Sequence, residues 1–388
     1  MRGKHMNVIE ILSQLVAFPV LGGQSNLTIL QWIQAYLRQH GVEYHLVPNE
    51  DGTKASLHCR IGPAVDGGVI LSGHMDVVPV AGQDWQTDPF TLVEKADKLY
   101  ARGSADMKGF IACCLACLPE MLQAPLQKPI YFAFSYDEEI GCLAGPALVE
   151  HIKASYTEQP AYAIIGEPSM LQAVVGQKGI CIFETTVHGS AGHSSRIRQE
   201  VSAVHEAARL ILWLEDKMEQ LIAAGHTDER FTPPHSSLHS GVIQGGIAPN
   251  VIADRCSFHW DVRVIPQDSV ANILADFETH CRERELFLRQ RYPGFRIITT
   301  EHHPPVPPLD TPEHLPVVDF IRQLSGQHLL QTVAYAAEAG QFAEGGFQTV
   351  ICGPGNIAQA HRANEFISKE QLAKGEEFVR RLIAALSI

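Results

Sequence analysis

Apolar and polar positions alternate in two textures along the first part of the chain. Apolar residues recurring every three to four positions over 7–17 and 26–40 predict amphipathic helices. Short apolar runs over 54–61, 67–73, 129–135 and 161–166 predict buried strands. Helical spacing returns over 106–123 and 143–153. Helices alternating with strands predict an α/β fold, a mostly parallel central sheet flanked by helices. Such sheets bind ligands beyond the carboxyl ends of their strands.

Near Gln177-Lys178-Gly179 the texture changes. Residues 180–188 alternate as Ile180, Ile182, Glu184, Thr186 and His188, the pattern of a half-exposed strand. A helix over 201–221, strands over 238–244 and 251–264, a helix over 269–285 and a strand over 295–300 follow. These predict an inserted α+β domain. The run His303-Pro304-Pro305-Val306-Pro307-Pro308 closes it as a linker would. Beyond it, a helix over 315–325, strands over 329–335 and 348–352 and an amphipathic helix over 369–386 restore the first texture. The expected division is a domain built from 1–178 and 303–388, interrupted by one over 179–302.

The 388 residues carry a net charge of −13, which disfavours nucleic acid and anionic membrane surfaces as partners. No apolar stretch approaches the length of a membrane span, and the first ten positions show no secretory signal, so a cytoplasmic protein is expected. His5-Met6 reads as a cloning scar, and 1–6 are set aside. Nine cysteines, an odd number scattered through apolar segments, fit free thiols in a reducing compartment. Cys113, Cys114 and Cys117 read as small buried hydrophobes, because no second cysteine pair completes a zinc site.

The chemistry gathers where predicted strands end. His74 and Asp76 follow Val69-Ile70-Leu71 and share one side of the chain. A natural division makes His74 a metal ligand and Asp76 the carboxylate that orients it. Asp106 opens the helix after Gly103-Ser104. Asp is a favoured N-cap there, although a carboxylate facing the sheet ends would also bridge two metals. Glu138-Glu139 follow the apolar run 130–135. One would bind metal, and the other would carry a proton from activated water to a leaving nitrogen; the residues alone leave open which does which. Glu167 follows Ile164-Ile165-Gly166, and His361 follows the loop Gly353-Pro354-Gly355. A buried charge is costly unless paired or metal-bound. A His/Asp/Glu set without cysteine suits zinc, cobalt or manganese.

Taken in order, Gly73-His74-Met75-Asp76-Val77-Val78-Pro79, Gly103-Ser104-Ala105-Asp106-Met107-Lys108-Gly109, Asp137-Glu138-Glu139, Gly166-Glu167-Pro168 and Gln359-Ala360-His361 resemble the motifs of the co-catalytic metallopeptidase family. That family includes carboxypeptidase G, succinyl-diaminopimelate desuccinylase, aminoacylase and acetylornithine deacetylase. The resemblance runs from about residue 8 onward. It implies two divalent cations, with zinc favoured and cobalt next. Asp106 would bridge them, His74 and Glu167 would hold one, and Glu139 and His361 the other. It makes Glu138 the general base and acid, and Asp76 the residue that orients His74.

The resemblance also implies that 179–302 is a lid and dimerisation domain, so a homodimer is expected. His193, in Gly189-Ser190-Ala191-Gly192-His193-Ser194-Ser195, would help polarise the scissile carbonyl. Asn250 and Arg263 resemble positions that touch substrate. The segments Trp85-Gln86-Thr87-Asp88-Pro89-Phe90 and Tyr335-Ala336-Ala337-Glu338-Ala339-Gly340 are most similar to the acetylornithine deacetylase branch, in which Glu338 would meet a cationic side chain. The implied reaction is amide hydrolysis of an N-acyl amino acid, foremost N2-acetyl-L-ornithine. The alternatives are another acyl-amino acid (acetylcitrulline or succinyl-diaminopimelate) or a dipeptide or carboxypeptidase substrate. A non-catalytic binding protein on this fold would be marked by lost ligands, and every ligand is present.

Overall fold

The structure is a computed structural model that describes residues 6–387, so five of the six residues set aside at the start lie outside it. The chain divides into two compact units. One comprises the residues up to Gly176, Leu309–Thr332 and the residues from Ala337 onward. The other comprises Gln177–Pro308 and Val333–Ala336.

The first unit is built on a nine-stranded sheet. Its order is His45–Pro48, Ala55–Ile61, Ile130–Ser135, Val69–His74, Tyr162–Pro168, Gln348–Gly353, Ala173–Gln177 and Leu309–Asp310, with Leu330–Val333 also paired to Ala173–Gln177. Four neighbouring central strands run parallel, and Ala55–Ile61 and His45–Pro48 extend the sheet antiparallel. Every residue of Val69–His74 and Ile130–Ser135 is buried. Such continuous apolar strands are what a sheet covered on both faces requires.

Helix Lys108–Ala116 packs between Val8–Val16 and Lys369–Ala385. All nine of its residues are therefore buried, including Lys108. The predicted single helix over 106–123 is in fact two, Lys108–Ala116 and Leu118–Gln123, with Pro119 in the first turn of the second. A proline cannot continue a helix whose N–H groups are already paired, but it fits a new first turn. All nine cysteines are free and buried.

In the second unit, strands run in the order Ser237–Gly245, Arg255–Val264, Gly179–His188 and Arg296–Glu301, all antiparallel. Along Gly179–His188 the core face is Cys181, Phe183, Thr185 and Val187, while the alternate positions are half-buried. Helices Ala203–Ala223 and Val270–Arg289 cover that face with Leu210, Leu214, Ile273 and Phe277. Trp260 stacks on Phe183 at 4.4 Å and donates to Thr185 Oγ1 at 3.0 Å, so its one polar atom is satisfied inside the core.

The boundaries differ from the expected 179 and 302. The proline-rich run is not a free linker, because Ile180 and Val306 exchange backbone hydrogen bonds at 3.0 and 2.8 Å, tying it to the second unit. Val333–Ala336 joins that unit through bonds to Lys178 N and the Arg263 guanidinium.

Candidate active site

Parallel pairing brings the strand ends together. His74 lies level with Ser135, and Ser72 with Ile165, so Glu167 and the turn after Ser135 arrive at the height of His74. The loop after Gly353 leaves the same edge, because its strand also runs parallel to Tyr162–Pro168.

Asp106 occupies the centre. Its Oδ1 lies 3.2 Å from His74 Nε2, and its Oδ2 lies 3.5 Å from His361 Nε2. On the His74 side, Glu167 Oε1 stands 3.7 Å from that nitrogen and Glu138 Oε2 4.0 Å. On the other side, Glu139 Oε2 is 3.0 Å from His361 Nε2. Ligand atoms of His74, Asp106 and Glu139 lie within 4.8 Å of one another, as do those of His74, Glu138 and Glu167.

Asp106 is not the helix cap that its place in the sequence suggested. The helix starts at Lys108 without a side-chain cap. The Asp106 carboxylate faces the two imidazoles instead, and its backbone N–H donates to Glu365 Oε1.

Asp76 meets His74 through two groups. Its backbone carbonyl, 2.9 Å from His74 Nδ1, orients the ring and leaves Nε2 facing the carboxylates. Its carboxylate is 3.6 Å from that Nδ1 and accepts from the backbone N–H groups of both Glu138 and Glu139 at 3.2 Å. It therefore fixes the turn that presents both glutamates. Asp137, at φ 54°, begins this turn; its carboxylate pairs with Lys54 and accepts from Gly23 N–H.

The electrostatics are those of crowded anions. Burial pushes Glu138, Glu139 and Glu167 above the ordinary carboxylate range, and neighbouring carboxylates push the same way. Asp106 is held low by its two histidine partners, which outweigh its burial. Hydrogen bonds donated to Asp106 and Glu139 raise His361 to about 10. Four carboxylates outnumber the two imidazoles and leave a local excess of negative charge. A pair of divalent cations fits that excess and this oxygen- and nitrogen-only donor set.

Of the four other expected residues, Glu338 lies beside the site, and His193, Asn250 and Arg263 belong to the second unit. Glu338 is only 1 % exposed and stands near Ser135, His74 and Asp76, with one carboxylate oxygen unpartnered, so it offers no open face to a cationic side chain. His193 and Asn250 meet in the second unit, where His193 pairs with Val251 and Ser194 N–H donates to Asn250 O. His193 Nδ1 lies 3.2 Å from Ser195 N and 2.8 Å from Ser195 Oγ. Arg263 is tied to Asp261 at 3.3 Å and to Ala334 O at 3.4 Å.

Sequence reasoning missed the supports beneath these groups. Lys108, fully buried, donates from Nζ to Phe18 O at 2.8 Å, and burial lowers it to about 7. Cys142 Sγ lies 3.4 Å from Glu138 Oε1, and Gln341 Nε2 donates to Cys142 O. Arg102 and Glu365 form a buried pair at 2.7 Å. No local pattern marks Lys108, Gln341, Arg102 or Glu365, because their partners lie 90 to 263 residues away.

Sheet, donor set and five ordered motifs define a two-cation hydrolase class. The sequence pattern of peptidase family M20/M25/M40 matches residues 70–385, and the chain belongs to that family. An acetylornithine deacetylase from Photorhabdus laumondii is 32% identical over 385 residues, 97% of this chain and 96% of that protein. Among solved structures, an M20 family metallo-carboxypeptidase from Sulfolobus solfataricus aligns with a TM-score of 0.77 at 17% identity, covering 98% of this chain and 99% of that one. A dinuclear metal-binding peptidase of the family from Bacillus subtilis aligns with a TM-score of 0.65 at 16% identity, covering 97% of each chain. The described residues hold no helix long and apolar enough to cross a membrane.

Proposed function

We propose that this chain is a metal-dependent amidohydrolase that converts N2-acetyl-L-ornithine and water to L-ornithine and acetate, a step of arginine biosynthesis. One observation carries the chemistry: Asp106 turns one oxygen toward His74 and the other toward His361, with a glutamate beside each histidine. The near full-length likeness to acetylornithine deacetylases supports the substrate.

His74, Asp106 and Glu167 would hold one cation and Asp106, Glu139 and His361 the other, zinc first and cobalt second. Bound there, the cations supply Lewis acidity toward the amide oxygen and make water a stronger acid. Glu138 accepts a proton from water as its oxygen adds to the carbonyl carbon. It then returns the proton to the nitrogen as the C–N bond breaks. The Cys142 thiol and the Asp76-bound turn keep the Glu138 carboxylate in place.

His193 is assigned the oxygen that gains charge, as the family resemblance implies. Asn250 and Arg263 are assigned the substrate's polar groups, and Arg263 suits a carboxylate. Glu338 is not assigned to substrate, given its burial. The enzyme is proposed to act in the cytoplasm as a homodimer through the second unit. Ser237–Gly245 is an edge strand there, with Val242 and Ile243 about half exposed.

The test compares turnover of N-acetyl-ornithine, N-acetyl-citrulline, N-acetyl-methionine, succinyl-diaminopimelate and a dipeptide. Acetyl-ornithine should give the highest kcat/KM. A strong preference for the succinyl substrate or the dipeptide would overturn the assignment within the family.

A further inference from the structure

His361 poses a physical problem. Its side chain is 59% exposed, so packing does not hold it. Its backbone sits at φ 61°, a left-handed conformation that non-glycine residues avoid. It nevertheless delivers an imidazole to Asp106 and Glu139. Something outside its own loop must hold it there.

A closed chain of hydrogen bonds does so. Glu365 Oε1 accepts from the backbone N–H groups of Ala105 and Asp106 at 2.8 and 3.0 Å. Its Oε2 accepts from Gly103 N–H at 3.0 Å and from the Arg102 guanidinium at 2.7 Å. Arg102 donates onward to Arg362 O at 3.2 Å and to Gln83 Oε1 at 2.6 Å, lying 5.1 Å over the Trp85 ring. Gln83 then donates from Nε2 to His361 O at 2.9 Å. One end of this chain is the backbone of Asp106, and the other is the backbone of His361. Asn364 laces the same loops through Gln86 N–H and Asp84 O.

We propose that Arg102, Glu365 and Gln83 are positioning residues that set the separation between Asp106 and His361, and so the affinity for the second of the two cations. The inference rests on the two-cation reading above. None of the three touches a proposed ligand atom; they act on the backbone beneath the ligands. Arg102 and Glu365 are buried as a pair and satisfy each other's charge. Only the planar fork of arginine serves Glu365, Arg362 O and Gln83 together, which a lysine does not.

The effect should be asymmetric. His74 is oriented by Asp76 O and Glu167 by its own strand, so the cation on that side keeps its supports. The cation between Asp106, Glu139 and His361 loses the hold on His361.

The experiment titrates the metal-stripped full chain with cobalt(II), following heat and the visible absorption of the bound ion, for the parent protein, Arg102→Lys and Gln83→Ala. Gln83 is half-buried on a loop, so its truncation leaves the fold intact even if Arg102→Lys does not fold. The parent should bind two equivalents. In Gln83→Ala, and in Arg102→Lys where it folds, one equivalent should weaken about 10–100-fold, with a changed absorption band, while the other is retained. Two equivalents bound as tightly in Gln83→Ala as in the parent would overturn the clamp, as would equal weakening of both. Fewer than two in the parent would defeat the two-cation reading, and the clamp with it.

Discussion

Glu138 and Glu139 are adjacent, yet their side chains serve different neighbours. The Asp76 carboxylate makes this possible by accepting from both their N–H groups, which fixes the turn and frees each side chain for its own direction. Geometry alone does not rank Glu138 below Glu167 as a partner of His74, since 4.0 and 3.7 Å are close. The decisive test is chemical. Glu138→Gln keeps the shape and removes the proton acceptor, so kcat should fall about 10²–10⁴-fold while both cations remain bound. Loss of a cation would instead make Glu138 a ligand. His193→Ala should lower kcat by about 10²–10³-fold if its Nε2–H meets the developing oxyanion; a change in KM alone would restrict it to binding. At this scale, sequence brought forward His74, Asp106, Glu139, Glu167 and His361, because strand-end charges stand out against apolar runs. Arg102, Glu365 and Lys54 stayed hidden, because their partners lie far away along the chain.

The parallel strands gather the site, and their fit to the covering helix is tight. A Cβ on Gly166 would stand 2.1 Å from the Phe110 ring, which is itself 1% exposed and hemmed in. Gly166→Ala should therefore destabilise by about 1–3 kcal/mol through overpacking. Denaturant unfolding would read this as a lower midpoint, and an unchanged midpoint would show that the helix yields. The long elements were legible because burial marks them, as an unbroken apolar run on Val69–His74 and Ile130–Ser135 and as alternation on Gly179–His188. The short ones were not. Val93–Lys95, Lys98–Tyr100 and Phe366–Ser368 have three residues each, too few to show alternation. Ala339–Glu344 is a six-residue helix containing Gly340 and Gln341, and its packing rather than its propensity forms it. The proline-rich run looked like a linker because only the paired strand reveals its role.

The whole molecule has a pH response remote from the site. His58 is fully buried, between Tyr156 Oη at 3.0 Å and His151 Nδ1 at 2.7 Å, with His45 stacked at 4.9 Å. Burial, then the two neighbouring histidines, lowers its pKa from 6.5 to about 3. The unfolded chain takes up this proton below pH 6.5, whereas the folded chain resists until about pH 3. Stability is thus fully present above pH 6.5 and declines between those values, at about 1.4 kcal/mol per pH unit. At pH 5 the loss relative to pH 7 should be about 2 kcal/mol from this residue. Denaturation of His58→Gln should show a flatter profile over that range, and an unchanged slope would contradict the assignment. If the second unit makes the dimer, Ile243→Lys should yield a monomer by sedimentation, whereas an unaltered dimer would move the contact elsewhere.

Two cations are proposed to gather around Asp106, and hydrolysis to depend on them. The most direct measurement counts zinc or cobalt bound per chain after stripping and reloading, and follows N-acetyl-ornithine hydrolysis in the same samples, with Asp106→Asn alongside. Two ions per chain, activity that returns with them, and loss of both binding and activity in the variant are predicted. A stripped chain that binds no metal, or hydrolyses the amide equally well without it, would contradict the account.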